Sequence, residues 1–273
     1  MTDVQDVVLI HGLFNRHRWS EAFLEAMADI WGSEHVYIIY TNAPNDVNEK
    51  VFNGNVIYTI GHNNITAGTK SLDEQVREVE RKIHIFQKSY GLGETFNIIG
   101  HSMGGIVARQ YIYHQPGTVA DLVTLGTPHH GSPLADYFGW FGYIIRSGKA
   151  FADNTPKRMR TFNERYPVAE APLYNGGKIY TVRGYAEGKI RKNWGLTGEV
   201  YLGWLILRLT KRTASDGLVP HDSAVIKGAE HLADFPNYDH HGLAVRSSVA
   251  KEASLKVFNY RLRTTNGIIS QKG

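Results

Sequence analysis

Asn97-Ile98-Ile99-Gly100-His101-Ser102-Met103-Gly104-Gly105-Ile106-Val107-Ala108 is the stretch that decides the fold. An apolar, β-branched run ends at Gly100, a serine follows two residues on, two glycines come next, and helical spacing begins. Gly-x-Ser-x-Gly between a strand and a helix is a turn so sharp that the serine sits near strained backbone angles, its hydroxyl lifted clear of the sheet. Gly100 and Gly104 carry no Cβ, which lets strand and helix come close on either side. The Met103 N–H opens the helix, where backbone donors are unpaired and the dipole favours an anion. In a flexible turn the same pattern carries no chemistry. The flanking strand and helix make Ser102 the candidate nucleophile and Met103 a candidate oxyanion donor.

Upstream, Val7-Val8-Leu9-Ile10 is a continuous apolar run, as expected of a strand buried on both faces, and it ends in His11-Gly12-Leu13-Phe14. A strand followed by His-Gly-apolar, ahead of the serine, supplies the second oxyanion donor in this kind of site, the Leu13 N–H. Residues 17–31 have helical spacing through Trp19, Phe23, Met27 and Trp31, and 35–40 read as a strand. From Thr41 to Lys70 the chain is rich in Asn and Gly and reads as one long loop bordering the site. Ser71-Leu72-Asp73-Glu74 is a capping box opening a helix to about Tyr90. Its inward stripe is Leu72, Val76, Val79, Ile83 and Phe86.

Downstream, the elbow helix runs to Gln115, and 119–125 is another buried strand leading into Gly126-Thr127-Pro128-His129-His130-Gly131-Ser132-Pro133. Alternating strands and helices with Val/Ile-rich strands predict an α/β fold, a mostly parallel sheet with helices on both faces. Ligands bind beyond the carboxyl ends of such strands, where Leu13, Ser102 and the Thr127 loop all fall. The alternation then breaks. Aromatics including Tyr137, Trp140 and Phe141 suggest a helical cap inserted over 133–174 in what is otherwise a single domain. The strand signal resumes at 178–182, and a second insertion near the site spans 186–212. Its run Val200–Leu209 is too short to span a bilayer. The run covers an acyl pocket, touches a lipid interface, or is simply buried. Residues 230–235 form the last strand. A final helix over about 243–262 is expected to pack Val245, Val249, Leu255 and Phe258 on the sheet.

A serine hydroxyl needs a general base, and the base needs an acid that fixes its tautomer. In this architecture the order is Ser, then Asp or Glu, then His. Ser102, Asp216 and His240 meet that order; Asp222 and Asp239 compete with Asp216, and His241 with His240. Phe14, His129, Trp140 and Trp204 are the candidate substrate-binding residues, and His101 is expected to pack inside the elbow.

The 273 residues carry a net charge of +4 with Lys and Arg scattered, so nucleic acid is not implied. Cysteine is absent, which removes disulfides and thiolate chemistry. The first residues show no signal-peptide pattern, giving the expectation of a cytoplasmic protein, or a secreted one whose leader precedes this sequence.

His-Gly-Leu after the first strand, Gly-His-Ser-Met-Gly-Gly, Thr-Leu-Gly-Thr-Pro-His-His-Gly-Ser, Asp-Gly-Leu-Val and Asp-His-His-Gly-Leu together resemble the α/β-hydrolase superfamily, and within it the bacterial triacylglycerol lipases. The resemblance covers the motif regions, not 41–70 or the insertions. It implies a serine carboxylester hydrolase acting on small-molecule or lipid esters with apolar acyl chains. Thioester cleavage or acyl transfer on the same residues is the alternative, and a non-catalytic binder of apolar ligands a remoter one. It also implies that Leu13 and Met103 form the oxyanion hole, Ser102 is the nucleophile, Asp216 the acid and His240 the base. Relatives that bind calcium place an Asp two residues after the histidine; here Gly242 stands there, so neither metal nor cofactor is expected.

Overall fold

The computed structural model describes residues 4–13, 19–135, 148–187, 197–255 and 257. Eight strands form one sheet in the order β3-β4-β2-β1-β5-β6-β7-β8. They are β1 (Val7–Ile10), β2 (Val36–Ile39), β3 (Val47–Phe52), β4 (Asn55–Ile60), β5 (Phe96–His101), β6 (Val119–Leu125), β7 (Ile179–Gly184) and β8 (Glu230–Phe235). Every pairing is parallel except the β3–β4 hairpin at one edge. The carboxyl ends of the seven parallel strands therefore share one edge of the sheet.

Alternate residues of β1 feed two cores, because successive side chains of a strand point to opposite faces. Val8 and Ile10 join the core beneath α2 (Leu72–Ser89) and α3 (Met103–His114). Val7 and Leu9 join the core beneath α1 (Glu21–Trp31) and the last helix, 247–255. The capping box forms as expected. Ser71 Oγ accepts from the Glu74 N–H while the Glu74 carboxylate accepts from the Ser71 N–H. Such a cap stabilises a helix by about 1 kcal/mol. All five residues of the expected α2 stripe are buried.

Three expectations need correction. Residues 41–70 are not one loop, because β3 and β4 lie within them, joined by Asn53-Gly54 at φ 50° and 84°. Positive φ at both central residues is what a two-residue hairpin turn requires, and Asn-Gly is its strongest sequence signal. Ile57 and Ile60 enter the two cores, whereas β3 is an exposed edge strand whose Asn, Glu and Lys disguise its pattern. The first helix starts at Glu21, capped by Ser20, rather than at 17. In the last helix Val249, Ala250, Ala253 and Val257 face the core, but Leu255 is 45% exposed and Val245 precedes the helix. Phe258 lies outside the described residues.

Within 133–174, α4 (Gly148–Asp153) and α5 (Pro156–Arg165) pack along α2 and α3. Ala150, Met159 and Val168 enter the α2/α3 core, and the Asp153 carboxylate accepts from the Leu72 N–H. The cap aromatics Tyr137, Phe138, Trp140, Phe141 and Tyr143 lie outside the described residues. The apolar run of the second insertion is a helix, α6 (Thr197–Thr210).

Candidate active site

The sharp turn is present. Ser102 sits between β5 and α3 at φ 55°, ψ −129°, a region that costs a residue with a side chain about 1–3 kcal/mol. Its N–H donates to Leu125 O at 2.8 Å and its carbonyl accepts from Thr127 Oγ1 at 2.8 Å, so the end of β6 holds both sides of the turn. Its side chain makes no cap bond to α3, which frees the hydroxyl for other work. The glycines act as expected. A Cβ on Gly104 would lie 2.3 Å from Ile10 O and 2.6 Å from His11 O, and one on Gly100 would lie 2.7 Å from Gly105 Cα.

Gly12 lies directly against the serine, where a Cβ would fall 2.5 Å from Ser102 Cβ and 3.0 Å from its Oγ. Leu13, half-buried, follows at the end of β1. The two candidate oxyanion donors, Leu13 N–H and Met103 N–H, thus flank Ser102 from separate elements. The 41–70 segment does border the site, through its final stretch. A Cβ on Gly68 would meet Gly12 O at 2.5 Å and Leu13 Cα at 3.0 Å.

Asp216 and His240 are brought together by two loops beyond the sheet edge. His240 Nδ1 donates to Asp216 Oδ2 at 2.7 Å, and both side chains are almost wholly buried. Asp216 Oδ1 accepts from the Leu218 and Val219 N–H groups at 3.0 and 2.8 Å, and Asp216 O accepts from the His240 N–H at 2.8 Å. A carboxylate, which only accepts, satisfies all three donors. The bond from Nδ1 leaves the Nε2 lone pair of a neutral ring free to take a proton. The end of β6 joins this pair to the serine. Gly126 follows the Leu125 carbonyl that holds Ser102, and a Cβ on it would lie 2.8 Å from Asp216 Oδ2 and 3.3 Å from His240 Nδ1.

The competing residues stand elsewhere. Asp222 is exposed, and Asp239 accepts from the Gly242 N–H. His101 packs as expected, its Nε2 donating to His240 O at 2.8 Å and its ring 4.7 Å from that of His240.

His129, expected among the substrate-binding residues, requires a correction. It is fully buried behind β6, its N–H donating to Thr127 O and Ser223 O. Arg109 Nη1 lies 3.3 Å from its Nδ1, and its Nε2 lies 3.1 Å from Thr124 Oγ1. Burial first, then the Arg109 and His130 charges, hold its pKa well below the usual 6.5. Its exposed neighbour His130 instead lines a cavity of about 450 Å³ with Pro156, Arg160, Asn163 and Glu164. Trp204 stacks on Tyr201 and under Arg208 of its own helix. Phe14 and Trp140 lie outside the described residues. The sequence reading missed Thr41 and Gln75, both fully buried beside Gly68. Gln75 falls on the inward stripe of α2, and a polar residue on such a stripe was the available signal.

The chain is similar to known proteins along most of its length. The triacylglycerol lipase of Pseudomonas fragi is 28% identical over 130 residues, 48% of this chain, and the chain spans only 36% of that curated relative's length. The mature Bacillus licheniformis lipase BlEst2 superposes with a TM-score of 0.61 at 23% identity, covering 94% of this chain and 91% of that one. The metagenomic carboxyl esterase MGS0156 gives 0.64 at 15% identity, covering 97% and 77%. These likenesses establish the α/β-hydrolase fold. Residues 6–159, which hold β1, the Gly12–Leu13 turn, the Ser102 elbow and α4 but neither Asp216 nor His240, match the model of the palmitoyl protein thioesterase family, and the chain belongs to that family.

Proposed function

We propose that this protein is a serine carboxylester hydrolase that cleaves esters of apolar acyl chains through an acyl-enzyme. The observation that carries the reading is the buried 2.7 Å bond from His240 Nδ1 to Asp216, set against the strand end that holds Ser102 in its strained turn. In this reading Ser102 Oγ attacks the ester carbonyl carbon and its proton passes to His240 Nε2. The carbonyl oxygen becomes an oxyanion between the Leu13 and Met103 N–H groups. Collapse breaks the bond to the alcohol, which leaves with the proton from His240. Water then gives a proton to the same nitrogen and attacks the acyl-enzyme, and release of the acid returns the proton to Ser102. Asp216 holds the ring in the required tautomer and stabilises the imidazolium.

In this reading the two insertions shape the substrate side. Asn154 Nδ2 reaches Met103 Sδ at 3.0 Å, and a Cβ on Gly203 of α6 would lie 2.3 Å from Gly217 O, next to the acid. Leu202 and Leu209 of α6 are 46% and 70% exposed, which supports contact with a lipid interface or with the acyl chain of a substrate. Each methylene buried in such a pocket adds about 0.8 kcal/mol, roughly three- to fourfold in kcat/KM.

A fluorophosphonate probe should label Ser102 and abolish hydrolysis of aryl esters, with kcat/KM rising from two acyl carbons to at least six. An unlabelled serine in active protein would overturn the reading; preference for acetate would remove the apolar acyl pocket from it. The family match favours one second reading, thioester cleavage by the same residues. Thioester and oxygen-ester substrates of equal acyl length separate the two.

A further inference from the structure

We infer that Gln75, acting with Thr41 and His11, is a positioning residue that fixes the direction of the Leu13 N–H. The inference rests on the reading above, in which that N–H receives the oxyanion.

The orientation of a backbone donor is set by its peptide plane. In a trans peptide the N–H of Leu13 points opposite to the C=O of Gly12. That carbonyl lies 2.6 Å from His11 Nδ1, and His11 Nε2 lies 3.0 Å from the Thr41 N–H. A carbonyl only accepts and a backbone N–H only donates, so both contacts are met by one form of the ring: neutral, with its proton on Nδ1. Thr41 then hands the restraint on. Its Oγ1 accepts from the Gly68 N–H at 3.0 Å and donates to Gln75 Oε1 at 3.1 Å. Gln75 Nε2 donates to Lys70 O at 2.7 Å and Gly68 O at 3.3 Å, and touches Met103 Sδ at 3.8 Å.

Both backbone groups of Gly68 are therefore held by the Thr41–Gln75 pair. Gly68 in turn presses on Gly12 O and Leu13 Cα, at positive φ and with no room for a Cβ. The 12–13 peptide is clamped between Gly68 on one side and Ser102 on the other. Gln75, His11 and Thr41 are all fully buried, so water cannot replace a lost bond in this chain. Gln75 touches neither the serine nor the Asp216–His240 pair among the described contacts. It acts on the reaction through Gly68 and through the position of Met103.

The test uses aryl ester kinetics and an alkyl trifluoromethyl ketone, whose adduct with Ser102 carries an oxyanion. Gln75→Leu should lower kcat on the order of tenfold to a hundredfold, short of the loss of a whole oxyanion donor, with KM within about twofold. Ketone affinity should fall by the same factor. Gln75→Glu, which keeps the acceptor for Thr41 and loses both donated bonds, should fall likewise. A purely structural residue would lower the melting temperature without changing kcat per folded molecule or ketone affinity. That result, with both quantities within threefold of wild type, overturns the inference. If Gln75→Leu does not fold, Thr41→Val and Thr41→Ser decide. The valine should lose the rate and the serine recover it, and equal rates for the two overturn the inference. Failure of the ketone to bind wild-type protein instead overturns the reading of Leu13, and this inference with it.

Discussion

Asp216→Asn is the substitution whose outcome the geometry determines most fully. Asp216 Oδ1 accepts two backbone N–H groups, from Leu218 and Val219, while Oδ2 accepts His240 Nδ1–H. The asparagine amide can turn in two ways. Turning its NH2 toward Leu218 and Val219 would oppose donors to two donors at 3.0 and 2.8 Å. Turning it toward His240 opposes one donor to one, and the ring can relieve that by moving its proton to Nε2. The second arrangement is cheaper by about one buried unsatisfied group, on the order of 1–3 kcal/mol. The variant therefore keeps its loop and, on the proposed roles, loses its base, because Nε2 now carries a proton. In a Ser-His-Asp triad the wrong tautomer lowers kcat by about 10⁴, or roughly 5 kcal/mol of transition-state stabilisation, and the proposed roles predict the same loss here. The assay is aryl ester turnover at saturating substrate, with thermal unfolding as the control for folding. KM should change little and cooperative unfolding should be retained. A variant that keeps a tenth or more of wild-type kcat would show that Asp216 is not the acid, and would refute the assignment of tautomer from the hydrogen-bond pattern.

Three further outcomes are expected. Ser102→Ala should lose activity on the order of 10⁶-fold, and Ser102→Gly, equally inactive, should unfold at higher denaturant by about 1 kcal/mol or more because glycine tolerates φ 55°; an unchanged midpoint would mean the turn is not strained. His240→Ala should match the serine variant in turnover while His241→Ala retains most of it, and the reverse would move the base by one residue. His129 is held neutral in the folded state, with its pKa below the ordinary value, so only the unfolded chain takes up its proton near pH 6.5. Stability should then be insensitive to this residue above that pH and fall below it by up to about 1.4 kcal/mol per pH unit. His129→Gln should flatten the slope of unfolding free energy between pH 6 and 5, and an identical slope would contradict the buried neutral ring.

The sequence reveals those parts of the fold where one local rule applies without competition. Residues 119–125 and 230–235 carry strand signals, and the strands have those bounds. The Ser71–Glu74 box opens its helix because side chain and backbone satisfy each other locally. The β3–β4 hairpin escaped because β3 is an edge strand. Its exposed faces need no apolar alternation, and the Asn53-Gly54 turn was the sign that remained. His129 was misplaced for a different reason. Its neighbours in sequence form a loop beyond a strand, which suggests exposure. The direction of its side chain is set by backbone bonds to Thr127 and Ser223, and the latter is 94 residues away. Contacts of that separation leave no periodicity to read. The same holds for Thr41, whose bond to Gln75 spans 34 residues.

The proposed machinery is distributed over separate elements, and this ties its precision to the packing of the sheet. Leu13 follows β1, while Ser102 precedes α3 and Met103 begins it. The separation of the two donors is therefore the separation of β1 from α3. That distance is limited by Gly104, whose Cα faces the carbonyls of Ile10 and His11 with no space for a methyl group. Behind it, Ile10, Met103, Ile106 and Val107 are all buried in one core and hold the helix on the strand. A displacement of about 1 Å in a positioning element can cost a hundredfold in rate. Ordinary core packing under α3 therefore acts on the same coordinate as the oxyanion donors. The strain at Ser102 is consistent with this. A residue held at φ 55° relaxes unless its surroundings over-determine it, and here the surroundings are the Leu125 and Thr127 bonds on one side and Gly12 on the other. Gly12, which lies against the serine, is joined directly to Leu13, so loosening the serine's surroundings would also loosen the candidate oxyanion donor.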